Sequence, residues 1–386
     1  MIGKASYLKK LTSKLKFRSV EVGEKLDGSS PPSIFIGKSG YPKVYVGPMV
    51  TPQHGDTSIF DTPEAWIPNY NTKEDIVNFR LQLIRGKEQV GVYDLDSSIV
   101  RKLQEIALAN NSVESEVEFK SKPRGFFFDE EHQPFGPSAQ LRNFDVGNVR
   151  WQQDLEKVYY DTDLKAKDAI AQLYEQGLQF TQIQKAVSIG SMGLRKNRKL
   201  VPTRWSITLT DDTLGKNFLE DIKNFEPLDS YEVYEFNALE NYFAILFLPT
   251  TWQYEFMEAF IHVVENEEVI FGDFEEFHGK KSYSTIGGCY YAVRFACAEK
   301  LKFRRKQAGA IVFREAYQNY IPLGVFTCRE TARHALTNKP QEFYDLKSAL
   351  KYISSKLKLP FYKFYHQSVL LKELTHRKQM LLANYM

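Results

Sequence analysis

The sequence predicts an α+β protein in which mixed, largely antiparallel sheets are covered by helices, followed by a flexible C-terminal peptide tail. Two observations support this class. Short alternating runs rich in Val, Ile, Tyr and Phe follow one another with only turns between them, which is typical of antiparallel strands. Amphipathic segments with helical spacing stand between these runs and are expected to cover the sheets.

The N-terminal half is predicted to open with two strands, Ser33–Lys38 and Lys43–Met49, which a tight turn connects. Thr72, with an aspartate three positions later, forms an approximate capping box and predicts a helix that runs to about Arg85. The segment Pro123–Val149 is rich in Gly and Pro and is predicted to be mostly loop. The other elements predicted here are a strand over Val113–Phe119 and helices over Ser97–Asn110, Leu164–Gln176 and Thr181–Ile189.

The C-terminal half alternates predicted strands with predicted helices, which favours antiparallel pairing over a doubly wound parallel sheet. The strand candidates are Trp205–Thr210, Tyr231–Phe236, Tyr242–Leu248, Gln253–His262 and Gly309–Arg314. The helix candidates are Thr213–Asn224, Cys289–Gln307, Cys328–Leu336 and Gln341–Leu357.

We expect four regions along the chain. A basic segment and linker occupies residues 1–28, and an N-terminal folded region covers 29–165. The composition becomes helical near residue 165, so a C-terminal α+β region is placed at 166–366. Residues 367–386 are predicted to form the tail.

Composition excludes several classes of protein. With 43% hydrophobic residues in 386, the chain is long enough to bury a sizeable core. A net charge of +3 argues against a histone-like polycation, although it leaves room for a local basic face. Three cysteines without a CxxC pair predict neither a disulfide framework nor a zinc module. No long apolar stretch or signal peptide is evident, so a cytoplasmic protein without a membrane span is expected.

The highest density of basic residues follows two glycines, Gly190 and Gly193, and ends at a tryptophan, Trp205. Arginine can hold a phosphate with its planar fork, and a nucleobase can stack on an exposed indole ring. The segment therefore predicts a nucleic-acid contact, although a solvated basic loop leading into a strand with a core tryptophan explains it equally well. Its basic residues are Arg195, Lys196, Arg198, Lys199 and Arg204.

A second constellation consists of His54, Asp56 and Asp61, which could hold a divalent metal or perform acid–base chemistry. Ordinary turn and cap chemistry explains the same residues. Arg80 and Arg85, both on the predicted helix, are candidates for substrate contacts or for salt bridges to the sheet. No nucleophile elbow, HExxH, P-loop, kinase or deaminase pattern occurs, so the sequence does not identify a reaction.

The last eight residues carry a third pattern. Gln379, Leu382 and Tyr385 stand three apart and share one face of a 3₁₀ turn, and Met386 extends its apolar edge. The pattern resembles the peptide that docks proteins onto the sliding clamp PCNA. The end of an amphipathic helix is the alternative interpretation.

Several strings in the chain resemble the archaeal Nre family of DNA repair proteins, and the resemblance extends from about residue 30 to the end. The strings are Ser30–Pro48, Asp61–Trp66, Phe79–Gly86, Asn197–Thr208 with Asp211 and Asp212, Gly287–Ala292, Pro322–Val325 and Arg329 with Glu330. The resemblance implies a DNA-damage-response protein that is recruited to the clamp through its C-terminal residues.

Two departures from the family limit what the resemblance implies. Met386 takes the place of the usual second aromatic residue, which predicts a weaker and exchangeable attachment to the clamp. Many relatives carry a cysteine-rich zinc module near the start, whereas the first cysteine of this chain is Cys289, so zinc is not carried over.

The leading hypothesis is a clamp-associated repair factor that binds DNA through the basic segment. A DNA-processing enzyme is the alternative, either a metal-assisted nuclease centred on His54, Asp56 and Asp61 or a glycosylase-type hydrolase. A further alternative is that the protein is a pure adaptor without a nucleic-acid site.

Overall fold

The computed structural model describes Lys4, Tyr7, Phe17 and residues 20–383, with residues 377–383 described as backbone alone. The chain divides into two compact units. Of the described residues, the N-terminal unit contains Phe17, 20–214 and 323–326, and the C-terminal unit contains Lys4, Tyr7, 215–322 and 327–383. The boundary predicted at residues 165 and 166 lies within the N-terminal unit and stays a prediction.

The N-terminal unit contains a six-stranded sheet in the order β1-β5-β6-β4-β3-β2. Its strands pair antiparallel except for β4 and β6, which are parallel. The strands are β1 Lys25–Ser30, β2 Ile34–Ile36, β3 Lys43–Val50, β4 Ile84–Gly91, β5 Val113–Phe119 and β6 Ser138–Val146.

Six helices, with the beginning of a seventh, accompany this sheet in the described part of the N-terminal unit. They are α1 Pro63–Trp66, α2 Lys73–Leu81, α3 Ser98–Ala107, α4 Gln153–Tyr160, α5 Ala166–Glu175, α6 Phe180–Ser188 and the start of α7 Thr203–Ile222. Two 3₁₀ turns, Ser58–Asp61 and Arg195–Asn197, lie among them.

One face of this sheet forms the main core of the unit. Ile34 and Ile36 on β2 and Ile84 on β4 pack there with the apolar face of α3. Because side chains alternate along a strand, Phe35 and Arg85 point to the opposite face. A smaller apolar cluster covers that face and consists of Phe35, Met49, Phe60, Leu83 and Phe135.

The C-terminal unit contains a second six-stranded sheet, in the order β10-β9-β11-β8-β7-β12. The pair β9 and β11 is parallel, and the other pairs are antiparallel. The strands are β7 Tyr231–Ala238, β8 Asn241–Leu248, β9 Tyr254–Ile261, β10 Glu268–Glu275, β11 Gly309–Ala316 and β12 Gln341–Phe343. In the described part of the chain, the helices that follow α7 are α8 Gly288–Arg304, α9 Phe326–Thr337, α10 Leu346–Lys356, α11 Phe361–Gln367 and α12 Leu370–Ala383.

The predicted fold class is confirmed, because both sheets are mixed, largely antiparallel and accompanied by helices. The alternating run Val113–Phe119 forms β5 with the predicted bounds. The capping box is present as well, since Thr72 accepts a hydrogen bond from the amide of Asp75 at the start of α2. All three cysteines are buried and free of disulfides.

Four predicted elements were wrong. The helix predicted over Gln341–Leu357 begins only at Leu346, and Gln341–Phe343 form strand β12, which pairs with β7. Trp205–Thr210 belongs to helix α7 and not to a strand, because its buried positions recur with helical spacing once Pro202 starts the turn. The helix that begins after Thr72 ends at Leu81, so Arg85 lies on β4. The predicted loop Pro123–Val149 contains strand β6.

None of the described helices combines the length and the apolar character that a membrane span requires.

Candidate functional site: a basic, aromatic cleft

A cleft of about 330 Å³ opens on the side of the N-terminal sheet that carries Phe35 and Arg85. Four parts of the unit line it: the end of β2 with the residues that follow, β4, the connection between β5 and β6, and the first turn of α7. We call it the Arg85 cleft. Its basic lining residues are Lys38, Arg85, Lys87, Arg124 and Arg204.

Aromatic rings form the inner wall of the Arg85 cleft. The rings of Phe127 and Phe135 stack nearly parallel at 5.4 Å between centroids, and Phe35 lies 4.8 Å from Phe135. His132 joins the cluster, stacked on Phe127 at 5.5 Å and edge-on to Phe35 at 4.8 Å. Phe127 is 45% exposed, so its ring offers a flat apolar surface to a ligand.

Arg85 is the central cation of the cleft. It is only 7% exposed, and its guanidinium carbon lies 4.1 Å from the centroid of the Phe35 ring and 5.3 Å from that of Phe135. Its Nη2 donates a hydrogen bond to the carbonyl oxygen of Tyr45 at 3.1 Å. Nε is buried and has no hydrogen-bond partner among the described residues. Burial lowers the pKa of Arg85 to about 9, so the group is charged at neutral pH.

Strand pairing on both sides fixes the backbone position of Arg85. Arg85 lies on β4 opposite Met49 of β3 and opposite Ser138 of β6, which places it inside the sheet. A Cβ at Gly37 would stand 3.4 Å from Nη2 of Arg85, which is about an ordinary contact distance.

The charge of the cleft is strongly one-sided. Among the described residues, no carboxylate forms an ion pair with Lys38, Arg85, Lys87 or Arg124. Arg204 is the exception, since its Nη2 lies 3.0 Å from Oε1 of Glu131. One acidic side chain, Asp129, lines the cleft beside these cations. The site therefore has a positive potential, which low-dielectric aromatic walls strengthen.

His132 is neutral at physiological pH. Burial lowers its pKa from the ordinary 6.5 to about 4, and the nearby charges of Arg85 and Arg80 add to this, while Asp129 opposes it. Nδ1 donates to the carbonyl oxygen of Gln133 at 2.8 Å, which leaves Nε2 as an acceptor.

Two exposed aromatic residues, Tyr41 and Trp205, are close in the sequence to residues that line the cleft. Trp205, which follows Arg204 on α7, is 43% exposed and its ring lies 5.1 Å from that of Tyr41. Tyr41 follows the lining residue Ser39 by two positions and is also exposed. The sequence predicted a possible stacking role for Trp205, and its exposure leaves the ring accessible for that role.

The basic segment of the sequence divides into different environments. Arg195 and Lys196 are exposed on a 3₁₀ turn, Lys199 is half-buried, and Arg204 lines the cleft. Arg198 uses its guanidinium inside the unit. Its Nη1 donates to the carbonyl oxygen of Tyr159 at 2.7 Å, its Nε donates to that of Gly193 at 2.8 Å, and its Nη2 donates to those of Val158 and Asp161.

The predicted catalytic candidates do not converge on the cleft. Asp61 is buried with Arg80 and Lys185, whose Nζ lies 2.6 Å from Oδ2 of Asp61. Burial alone would raise the pKa of Asp61, but the two cations lower it overall. Arg80 also donates to the carbonyl oxygens of Phe60 and Pro134. Asp61, Arg80 and Lys185 therefore form a buried ion-pair network of the kind that stabilises a fold.

His54 and Asp56 lie in the exposed turn predicted as the alternative. The hydrogen bond with Glu114, whose Oε2 lies 2.7 Å from Nδ1 of His54, raises the pKa of the histidine. Asp56 accepts a hydrogen bond from the amide of Ser58, which lowers its pKa. Neither unit, taken by itself, gathers three or more His, Cys, Asp or Glu ligand atoms among its described residues. The structure thus does not bring His54, Asp56 and Asp61 together.

The clamp pattern lies at the C-terminal end of the described residues. The backbone of Gln379 and Leu382 belongs to helix α12, while Tyr385 and Met386 lie outside the described residues. The clamp contact stays a prediction.

Sequence reasoning missed most of the cleft. The available signal was the run of three phenylalanines, residues 126–128, flanked by Arg124 and Asp129 within a segment rich in Gly and Pro. Such a run of aromatic and basic residues in a loop is typical of a ligand site. Arg85 was predicted as a candidate for substrate contacts or for a salt bridge to the sheet, but on a helix and not on strand β4.

The fold and the cleft define a class: a two-unit α+β protein with a positively charged, aromatic-lined cleft in its N-terminal unit. Two family models match the chain, "Archaeal Nre, N-terminal" over residues 3–263 and "Archaeal Nre, C-terminal" over residues 275–385. The chain belongs to the archaeal Nre family.

Named relatives are similar over most of their length. DNA repair protein NreB of Archaeoglobus fulgidus is 40% identical over 362 residues, which cover 92% of this chain and 90% of the relative. DNA repair protein NreA of the same organism is 33% identical over 88% of each chain. DNA repair protein NreA of Haloferax volcanii is 32% identical over 83% of this chain and 80% of the relative. No solved structure gives a significant match.

Proposed function

We propose that this chain is a DNA repair factor that binds DNA through the Arg85 cleft and associates with the sliding clamp PCNA through its C-terminal residues. Family membership and relatives named as DNA repair proteins support the repair role. The observation that carries DNA binding is the set of cations without acidic partners beside accessible aromatic rings.

The chemistry of the cleft suits a single strand better than a duplex. Phosphates are neutralised by Lys and Arg, and unpaired bases stack on aromatic rings, which every base can do. Lys38 and Arg124 are exposed beside the ring of Phe127, and the Tyr41–Trp205 pair offers a second stacking surface. In a duplex the base faces are stacked on one another and cannot reach such rings.

The two alternatives fit the geometry less well. A nuclease centred on His54, Asp56 and Asp61 would need these ligands to converge, whereas Asp61 is paired with Arg80 and Lys185. A pure adaptor without a nucleic-acid site would have no use for four unpaired cations in one cleft.

Salt dependence tests the DNA-binding part. We expect single-stranded DNA to bind with an affinity that falls steeply with salt, because bound phosphates release counterions. The triple variant Lys38→Ala, Lys87→Ala, Arg124→Ala should lower the slope of log affinity against log salt by about 0.7 for each lost phosphate contact. Fluorescence anisotropy at several salt concentrations measures both.

The matched control for this experiment is Lys347→Ala, an exposed lysine on α10 in the C-terminal unit. It should leave affinity and slope unchanged. Equal slopes for the triple variant and the wild type would refute the cleft as the DNA site. The pair Arg195→Ala, Lys196→Ala tests whether the exposed part of the basic segment extends the same surface.

The clamp association has a separate test. Removal of residues 379–386 should abolish co-elution with the clamp, because it removes Gln379, Leu382, Tyr385 and Met386 together. The melting temperature should change little, since the deletion shortens α12 only at its C-terminal end and leaves the part that begins at Leu370. Undiminished co-elution would contradict the docking role, and a large loss of stability would assign the segment to the fold of the C-terminal unit.

A further inference from the structure

Among the described residues, the innermost cation of the cleft has no counter-ion. Arg85 is more than nine-tenths buried, its Nε makes no hydrogen bond, and its one described acceptor is the carbonyl oxygen of Tyr45. A buried charge without an opposite charge is an unfavourable arrangement that an anion would relieve. The two rings beside it, Phe35 and Phe135, stabilise the cation but accept no hydrogen bond.

The depth of Arg85 restricts the kind of anion that can reach it. An internal phosphodiester is joined to the strand on both sides, so it can contact cations on an open surface but cannot enter a closed pocket. A phosphate at the end of a strand is joined on one side only and can enter a closed pocket. It also carries close to two negative charges at neutral pH, which matches a site with several cations.

The dimensions and walls of the cleft fit one terminal nucleotide. About 330 Å³ is available, which is on the scale of a small-molecule site. With a phosphate at Arg85, Lys87 on the same face of β4 and Arg124 at the opening could neutralise the second charge. The exposed ring of Phe127 would then face the sugar or the base.

We propose that the Arg85 cleft is a receptor for the terminal phosphate of a DNA strand, so that the protein distinguishes phosphorylated strand ends from hydroxyl ends. Such ends occur at nicks, gaps and breaks. This inference rests on the proposed DNA binding through the same cleft and names the feature of DNA that the cleft recognises.

Four oligonucleotides of one sequence test the inference on the wild-type protein: 5′-phosphate, 3′-phosphate, both phosphates, and hydroxyl at both ends. One phosphorylated end should bind roughly tenfold to hundredfold tighter than the hydroxyl form, the effect of charge-assisted hydrogen bonds. The favoured end also shows which terminus enters the cleft. Equal affinity for all four overturns the inference.

Two variants test whether Arg85 causes the preference for the phosphorylated end. Arg85→Met keeps much of the side-chain volume between the two rings and should remove the preference for the phosphorylated end. Arg101→Met is the control, because Arg101 is exposed on α3 and pairs with Asp96 outside the cleft. It should keep the full preference, and a preference that survives Arg85→Met also overturns the inference.

Folding of the Arg85 variant is checked by its melting temperature, which should hold or rise because a buried unpaired charge has been removed. Competition provides a second measurement on the wild type: a nucleoside 5′-monophosphate, a 3′-monophosphate and inorganic phosphate are titrated against the labelled phosphorylated strand. We expect the nucleotide that matches the favoured end to compete best, and inorganic phosphate more weakly. Failure of all three to compete at millimolar concentration would count against a terminal-phosphate site.

The outcomes separate this inference from the proposed function. If the strand with hydroxyl ends binds with a steep salt dependence and without a terminal preference, DNA binding stands and the phosphate receptor falls. If no oligonucleotide binds, both fall. If the nucleotide monophosphate binds and no strand does, the cleft is a free-nucleotide site and DNA binding falls.

Discussion

The guanidinium of Arg85 lies 4.1 Å from the centroid of the Phe35 ring, with the ring of Phe135 at 5.3 Å. This contact explains how a buried cation is held without a carboxylate. The electron-rich faces of the rings replace part of the lost hydration, and the Tyr45 carbonyl accepts one hydrogen bond. Nε of the guanidinium remains without a hydrogen-bond acceptor among the described residues.

Phe35→Leu tests this contact. The smaller side chain removes the cation–π interaction and the ring contacts with His132 and Phe135, and should lower the free energy of unfolding by about 1–3 kcal/mol. Urea denaturation measures the change. Phe303→Leu is the control, because Phe303 is 85% exposed and its replacement should be nearly neutral.

His132 predicts a loss of stability in mild acid. Its folded pKa of about 4 lies below the ordinary 6.5, so the unfolded chain takes up the proton first as the pH falls. Stability should therefore decrease between pH 6.5 and pH 4. His132→Phe keeps the stacking on Phe127 and should remove this part of the acid sensitivity, on the order of 2 kcal/mol at pH 4.5.

The measurement for His132 is the difference in unfolding free energy between pH 6.5 and pH 4.5, compared for the two proteins. His334→Phe is the control, since His334 lies on α9 in the C-terminal unit, where its ring contacts that of Phe236. An equal pH difference in the wild type and His132→Phe would mean that other groups cause the acid sensitivity.

Asp61→Asn should act on stability and not on ligand binding. It leaves Arg80 and Lys185 buried without their carboxylate, which costs about 3–5 kcal/mol. Chemical denaturation shows the loss, and DNA affinity of the folded fraction should stay unchanged. Asp96→Asn at the exposed pair with Arg101 is the control and should cost less than about 0.5 kcal/mol. Lost DNA binding in a stable Asp61→Asn protein would restore Asp61 as a functional residue.

Local patterns in the sequence were sufficient for much of the fold. Alternation predicted β5 with its bounds, and the capping box at Thr72 predicted the start of α2, because both signals involve neighbours in the chain. The run from Trp205 to Thr210 was wrongly predicted to be a strand, since large apolar residues alternate there with Ser and Thr. Its helical spacing becomes clear only from the structure, in which Ser206, Ile207 and Thr210 are buried and Trp205 and Leu209 are exposed.

The cleft could not be predicted, because it is assembled from segments far apart in sequence. Phe35, Arg85 and Phe127 lie on two strands and a loop, and no periodicity relates them. The same limit affected Asp61, which resembled a metal ligand beside His54 until the structure paired it with Arg80. Residue type indicates the chemistry that is available, whereas burial and partners decide whether that chemistry is free for a ligand.

Gly47→Ala should show how strictly the strands beneath the cleft determine its geometry. A Cβ at Gly47 would stand 1.8 Å from the carbonyl oxygen of Gly86, a contact that only a shift of the backbone can relieve. Because Gly86 follows Arg85 on β4, the separation of β3 from β4 should displace the guanidinium from the rings beside it. We expect the free energy of unfolding to fall by about 1–3 kcal/mol or more, and DNA to bind more weakly.

Gly147→Ala provides the comparison for Gly47→Ala, because its Cβ would meet its nearest atoms at an ordinary 3.5 Å and its position is exposed. Urea denaturation and anisotropy on the same preparations separate the two effects. If Gly47→Ala lost stability but kept full DNA affinity, the position of Arg85 would not depend on the spacing of β3 and β4. Loss of both, with Gly147→Ala unchanged, would tie the receptor to this close approach of the two strands.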